Sequence, residues 1–129
     1  MEIVRRATAA FNEGDLDAFL EVVAPDAELR DLANAPDQSG VVKGRAAIHE
    51  SWTLWTAAFD EFRADVDEYV DRGEVVICAV HWHGQGKGSG MLIDTHQFDV
   101  YEVHEGRIVR GTLGFQSKAE ALEAAGLSE

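Results

Sequence analysis

The chain has 129 residues, 46% of them hydrophobic, and its 24 acidic and 11 basic side chains give a formal charge of −13. This length and apolar content predict a single domain over residues 1–129. The negative charge disfavours nucleic acid and anionic membranes as partners. The sequence lacks a signal-peptide pattern and any run near the ~20 apolar residues of a membrane helix, and it has one cysteine, Cys78, so we expect a cytoplasmic protein.

The first third of the chain shows helical periodicity followed by a short alternating segment. Gly14 followed by Asp15 is typical of a helix end and the N-cap of the next helix. Pro25 ends the second helical pattern, and alternation of apolar and polar residues begins after it. The predicted elements are helices over 3–11 and 16–23, a strand over 27–32 and a loop over 33–42.

The rest of the chain predicts one long helix, four strands and a last short helix. The long amphipathic helix begins after Gly44 and carries two tryptophans on one stripe. Ser117 and Glu120 have the spacing of a capping box, and Gly126 ends the helix that they begin. The strands are predicted over 62–70, 75–83, 91–103 and 107–115. This order of elements predicts an α+β fold, with helices packed on a curved antiparallel sheet.

The strand over 75–83 is apolar on both faces, so both of its sides need cover. We predict that helices cover the side of Val75, Ile77 and Ala79, and that a second subunit covers the other side. The chain is therefore expected to form a homodimer, through a contact that comprises Val80, Trp82, Phe98 and Val100.

A candidate site follows from alternate positions on two of the strands. Ala79, His81, His83, Gln97, Asp99 and Tyr101 share one face if the strands pair in phase. Such a face could line an apolar pocket suited to proton transfer, or it could simply face water. The aromatic residues of the helices could line this pocket or fill it. Its predicted lining is Phe19, Ser51, Trp52, Trp55, Gln97, Gly111, Leu113 and Phe115.

A turn at residues 104–106 would place Asp99 opposite Gly111, unless the register slips by two residues, and a glycine opposite Asp99 leaves room for a ligand atom. Burial among apolar side chains would raise the pKa of this carboxyl and make it a hydrogen-bond donor. The spacing of His81 and His83 also suits a metal ion, but the residues expected opposite them, Ile93 and Thr95, offer no third ligand. We therefore predict no metal, and a metal-dependent enzyme is the third-ranked hypothesis.

Five segments, in this order, resemble the nuclear transport factor 2-like superfamily, and most of all its SnoaL-like branch. The segments read FNEGDLDAFLEVVAPDAELRD, GRAAI, GKGSG, VYEVHEGRIVR and EALEAAGL. The resemblance implies a cone, also described as a cystatin-like α+β barrel, in which a curved sheet wraps a long helix around one pocket. It also implies a homodimer. Ketosteroid isomerases and polyketide cyclases are among the relatives, and so are proteins that only bind or dimerise.

The same resemblance assigns roles to single positions. The isomerase pattern places its general base at Asp31 and its protonated carboxylic acid at Asp99. The tyrosine that the isomerases carry on the first helix is Ala7 here, so Tyr101 or a histidine would have to supply that donor. Polyketide cyclases and epoxide hydrolases carry an aspartate on the last strand, where this chain has Leu113. That difference argues against both of those reactions in their usual form.

The sequence thus predicts a cofactor-independent acid and base enzyme, of isomerase or dehydratase type, that acts on a small and mostly apolar carbonyl compound. The alternative is a ligand-binding or dimerisation module of the same fold without chemistry. The predicted catalytic residues are Asp31, His81, His83, Asp99 and Tyr101.

Overall fold

The computed structural model of the chain describes residues 2–31, 41–88 and 92–126, apart from the side chains of residues 31, 55, 58, 60, 61 and 93. Within these ranges the helices are α1 (Glu2–Glu13), α2 (Leu16–Glu21), α3 (Arg45–Ala58) and α4 (Lys118–Ala124). The strands are β1 (Val23–Asp31), β2 (Val41–Lys43), β3 (Phe59–Asp71), β4 (Val75–Gly86), β5 (Leu92–His104) and β6 (Arg107–Phe115). None of these helices is long and apolar enough to cross a membrane.

The six strands form one curved, unclosed sheet in the order β2-β1-β6-β5-β4-β3. The predicted α+β fold is confirmed. One pairing differs from the prediction of an antiparallel sheet, because β1 runs parallel to β6. The long stretch of chain between β1 and β6 permits this crossover. The loop predicted over 33–42 was wrong at its end, since β2 begins at Val41, and its residues 33–40 lie outside the described ranges.

Helices α1 and α3 pack on the inner, concave face of the sheet. The Asn12 side-chain amide exchanges two hydrogen bonds of 2.8 Å with the backbone of Ala64, which ties α1 to β3. The Arg45 guanidinium donates to the Val23 carbonyl at 2.8 and 3.1 Å, which ties the start of α3 to β1. These polar ties hold the two helices across the sheet, with a space left between them.

Helix α4 packs on the outer face of the same sheet. Ala121 and Leu122 form a buried cluster with Ile77 and Val100. The backbone N–H of Glu120 donates to the Ser117 hydroxyl at 3.2 Å, as the sequence pattern predicted for the start of this helix. Phe115 packs against this outer cluster, so the prediction that it lines the pocket was wrong.

The register of β4 and β5 decides which side chains point inward. Val80 pairs with Gln97, and Cys78 pairs with Asp99. Residues paired across a ladder share a face, so Gln97 and Asp99 lie on the face of Val80 and not on that of His81. The predicted common face of histidines and Asp99 was therefore wrong. Alternation fixes the faces within one strand, but only the register relates one strand to the next.

The predicted subunit contact changes for the same reason. Val80 and Trp82 line the inner side, where α1 packs and no second subunit is needed to cover them. Phe98 and Val100 do lie on the outer side, but they pack in the cluster that α4 covers in part. The homodimer itself stays a prediction.

Candidate active site

A cavity of about 620 Å³ lies between the inner face of the sheet and helices α1 and α3. Most of its wall is apolar, as is usual for small-molecule sites of this volume. Seven residues predicted from the sequence lie in its wall: Phe19, Ser51, Trp52, Gln97, Asp99, Tyr101 and Leu113. Trp55 was also predicted there, but its side chain lies outside the structural description.

Aromatic side chains form one side of the cavity around Phe11. The ring centroid of Phe11 lies 5.0 Å from that of Trp52 and 5.1 Å from that of Trp82, both in edge-to-face geometry. Phe62 and Phe19 extend this group at 5.7 Å from Phe11 and 5.0 Å from Trp52. Of the two alternatives left by the sequence, lining the pocket or filling it, the aromatic residues therefore follow the first, and the cavity stays open.

Asp99 lines the cavity, is 0% exposed and accepts hydrogen bonds from three N–H groups. Gln97 Nε2 and the Gly114 backbone N–H donate to Oδ1 at 2.8 and 3.0 Å, and Trp82 Nε1 donates to Oδ2 at 3.1 Å. An ionised carboxyl only accepts hydrogen bonds, so three donors favour the carboxylate form. This arrangement does not support the predicted role of Asp99 as a protonated donor.

A bulge in β6 supplies one of these donors. The register passes from Phe98 opposite Phe115 to Val100 opposite Thr112, so β6 holds one residue more than β5 there. Gly114 lies in this bulge with φ 102°, a conformation that favours glycine. The bulge directs the Gly114 N–H at Asp99.

Tyr101 lies two residues beyond Asp99, in the wall of the same cavity. Burial, and then the negative charge of Asp99, raise the pKa of the Tyr101 phenol well above its ordinary value. Its hydroxyl makes no hydrogen bond to any residue that the structure describes. Tyr101 therefore remains protonated and can donate a hydrogen bond to a molecule in the cavity.

Gly111 faces Tyr101 and not Asp99, so the predicted register was wrong by two residues. The turn consists of Glu105 and Gly106 alone, both with positive φ, instead of the three residues expected, which accounts for one residue of the shift. A register shift between Glu102 and Val103 accounts for the other. A Cβ added at Gly111 would lie 2.8 Å from Leu29 Cδ2 and 3.1 Å from the Tyr101 ring. The glycine therefore makes room for the tyrosine ring rather than for a ligand.

Cys78 pairs with Asp99 across the strands and is 1% exposed. Burial, and then the Asp99 charge, raise the pKa of its thiol to about 12. The thiolate is the nucleophilic form of cysteine, so this residue belongs to the wall and not to the chemistry.

His81 and His83 lie on the outer face and do not line the cavity. His81 Nε2 is 2.5 Å from Asp94 Oδ1, and His83 Nε2 is 2.6 Å from Asp65 Oδ2. Their predicted place beside Asp99 was wrong. Asp31 lies opposite Leu113 in the pairing of β1 with β6, and its side chain lies outside the description.

The family model of the SnoaL-like domain matches residues 4–111. The chain belongs to the SnoaL-like domain family. No curated protein matches it.

Solved structures similar to this SnoaL-like domain share its fold at low sequence identity. A hypothetical protein from Catenulispora acidiphila with a ketosteroid isomerase-like fold, in complex with trimethylamine, is 18% identical with TM-score 0.78, over 98% of this chain and 94% of the other. A putative polyketide cyclase from Sinorhizobium meliloti is 24% identical with TM-score 0.72, over 88% and 94%. TerC, co-crystallised with polyporic acid, is 18% identical with TM-score 0.75, over 92% of each chain.

Sequence reasoning missed the place of Trp82 in the cavity wall and the Gly114 backbone N–H that donates to Asp99. One signal could have found Trp82. It continues the apolar alternation of Val76, Cys78 and Val80, whereas the other face of β4 becomes polar at its histidines. Nothing in the sequence marks Gly114 as a bulge, because its role depends on the register of β6 against β5.

Proposed function

We propose that this SnoaL-like domain is a cofactor-independent enzyme that moves a proton next to the carbonyl of a small, mostly apolar compound. The observation that carries the proposal is the Tyr101 hydroxyl, which lies in an apolar cavity without a hydrogen-bond partner among the described residues. A donor fixed in such an environment stabilises the negative charge that develops on a carbonyl oxygen as an enolate forms. Isomerisation and dehydration both pass through this charge.

Tyr101 takes the donor role that the resemblance gives to Asp99. The three N–H donors on its carboxyl favour the carboxylate form of Asp99, and a carboxylate cannot donate a hydrogen bond. It serves as a positioning residue that holds Trp82 and Gln97, and its charge adds to the effect of burial in raising the pKa of Tyr101. We propose Asp31 as the base, on the strength of the family pattern and of its pairing with Leu113, which lines the cavity.

Exchange of a substrate's α-proton for deuterium tests this function directly. Small cyclic ketones in D₂O are the probes, and NMR records the loss of the α-proton signal. Tyr101→Phe should slow the exchange by about 10²–10³-fold, the usual cost of losing one such donor. Asp31→Asn should slow it by about 10²–10⁴-fold, as expected for loss of a general base.

The chain offers a matched control for the tyrosine. Tyr69 packs under the Arg5 guanidinium, 4.6 Å from the ring centroid, and does not line the cavity. Tyr69→Phe should therefore leave the exchange rate unchanged. Full exchange activity in Tyr101→Phe would remove the donor from the mechanism, and full activity in Asp31→Asn would remove the base.

Binding without chemistry is the second candidate function, and the surroundings of Asp99 favour it. A buried carboxylate beside aromatic rings suits a small organic cation, which interacts with both the charge and the ring faces. The similar protein from Catenulispora acidiphila is in complex with trimethylamine.

Tryptophan fluorescence separates the two candidates, since Trp52 and Trp82 line the cavity. Trimethylammonium and the neutral tert-butanol, which are similar in shape, are titrated at pH 8. A binding module for cations should prefer trimethylammonium, and this preference should disappear in Asp99→Asn. An enzyme for neutral carbonyl compounds should show no such preference.

A further inference from the structure

We propose that His81, Asp94 and His96 form a binding site for a divalent transition-metal ion on the outer face of the sheet. The three residues lie on the neighbouring strands β4 and β5, where His81 pairs directly with His96. One ligand atom from each of them lies within 4.8 Å of the other two. On this face, the strand β4 alone offers only histidines to a metal ion. The pairing of β4 with β5 adds Asp94 and His96 beside His81.

The side chains of this cluster are already close to one another. The rings of His81 and His96 stack with centroids 4.1 Å apart and planes 15° apart. His81 Nε2 lies 2.5 Å from Asp94 Oδ1. Ligand atoms around a tetrahedral zinc ion lie roughly 3.3 Å apart, given bonds of about 2.0–2.2 Å. Small rotations can therefore bring the three groups to this spacing, since His96 is exposed and the Asp94 side chain is 71% exposed.

The chemistry of the ligands selects the kind of ion. Two imidazoles and one carboxylate suit Zn²⁺, Co²⁺ or Ni²⁺, whereas Mg²⁺ and Ca²⁺ prefer sites made of oxygen atoms. The formal charge of −13 attracts cations to the surface in general. His83 lies beside the cluster, with its ring centroid 5.0 Å from that of His81, but its Nε2 already contacts Asp65. We therefore assign three protein ligands and leave the fourth position to water.

Calorimetric titration of untagged, EDTA-treated protein with ZnCl₂ at pH 7.5 tests the site. We expect one ion per chain. His81→Asn, Asp94→Asn and His96→Asn should each weaken binding by at least about tenfold, because even the loss of an outer partner of a ligand costs 10–100-fold. MgCl₂ should give no saturable heat.

His49→Asn is the matched control, because His49 is exposed on α3 and belongs to no such cluster among the described residues. It should bind Zn²⁺ as the wild-type chain does. The variants should melt like the wild type in EDTA, since the replaced side chains lie on an exposed face, and Zn²⁺ should raise the melting temperature only where the cluster is intact. Equal affinity in His81→Asn and the wild type, several ions per chain, or no saturable binding would each overturn the proposal.

Discussion

Asp99 and Asp94 lie on the same strand, but they face opposite sides of the sheet. Asp99 is 0% exposed and accepts three N–H donors inside the cavity. The Asp94 side chain is 71% exposed and contacts one histidine. Burial increases the cost of leaving a polar group without a partner, whereas water replaces any partner that an exposed carboxylate loses. A carboxylate on the inner face should therefore contribute strongly to the stability of the fold, whereas one on the outer face can be replaced at little cost in stability.

The two faces also differ in how far a charge acts. On the inner face, Asp99 contributes to raising the pKa of both Tyr101 and Cys78. On the outer face, the charged pairs contact water, which screens them from groups farther away. The charge of Asp99, after burial, thus affects two other titratable groups of the inner face, whereas each outer pair acts only locally.

Replacing the two aspartates by alanine should give the largest contrast. Asp99→Ala leaves two buried N–H groups and the part-buried Trp82 Nε1 without their acceptor, and it should lower the free energy of unfolding by about 3–5 kcal/mol. Asp94→Ala should lower it by less than about 1 kcal/mol. Urea denaturation in EDTA measures both. Similar losses in the two variants would mean that burial does not distinguish these carboxylates.

Gly111→Ala tests how tightly the inner face is packed. Gly111 has no positive φ, so alanine at an uncrowded site there would stabilise the fold by about 0.4–1 kcal/mol through the unfolded state. The contacts with Leu29 and the Tyr101 ring predict the opposite sign, a loss of about 1–3 kcal/mol. Denaturation curves give the sign directly.

The cause of that loss can be checked in a double variant. In a Leu29→Ala background the nearest contact of the new methyl group is gone, so Gly111→Ala should cost less than it does alone. Equal costs in both backgrounds would assign the strain to some other contact.

Alkaline pH should destabilise the fold through the inner face. The pKa of Tyr101 is raised above its ordinary value of 10.0, and that of Cys78 from 9.0 to about 12, so the folded chain holds both protons more tightly than the unfolded chain. Their contribution to stability is therefore complete below pH 9 and is lost as the pH rises through the folded pKa values. Urea denaturation from pH 8 to 11 should show the free energy of unfolding decreasing as the pH rises. In Tyr101→Phe the decrease above pH 10 should be smaller than in the wild type. An unchanged slope in that variant would contradict the assignment.

The sequence predicted the elements well but the faces of the sheet poorly. The periodicity over residues 107–115 gave β6 with the bounds that the structure shows, because alternation and flanking turns are local signals. The relation of His81 to Asp99 depends instead on the register across the β4–β5 turn, and a shift of one residue reverses the face. The two-residue turn at Glu105 and Gly106 and the register shift between Glu102 and Val103 moved Gly111 from Asp99 to Tyr101, two residues along the strand.

The apolar residues of β4 carry a physical signal for the orientation of the sheet. The alternation that ends at Trp82 is apolar throughout, whereas the opposite alternation of β4 ends in two histidines. A cavity wall under two helices needs the uniformly apolar face, because buried imidazoles need partners. The predicted site followed the residues with reactive groups, although the pattern of apolar residues determined which face was inside.

Asp65→Asn should have the smallest effect, and it tests the outer side of the comparison. The His83–Asp65 contact of 2.6 Å is shorter than each of the three N–H hydrogen bonds to Asp99, yet the Asp65 side chain is 48% exposed. If exposure decides the worth of a contact, the variant should lose less than about 1 kcal/mol in urea denaturation, and less again at high salt. Asp67→Asn, on the same strand and exposed, is the control. A loss above about 2 kcal/mol would show that geometry outweighs exposure, because a short contact would then stabilise the fold even in water.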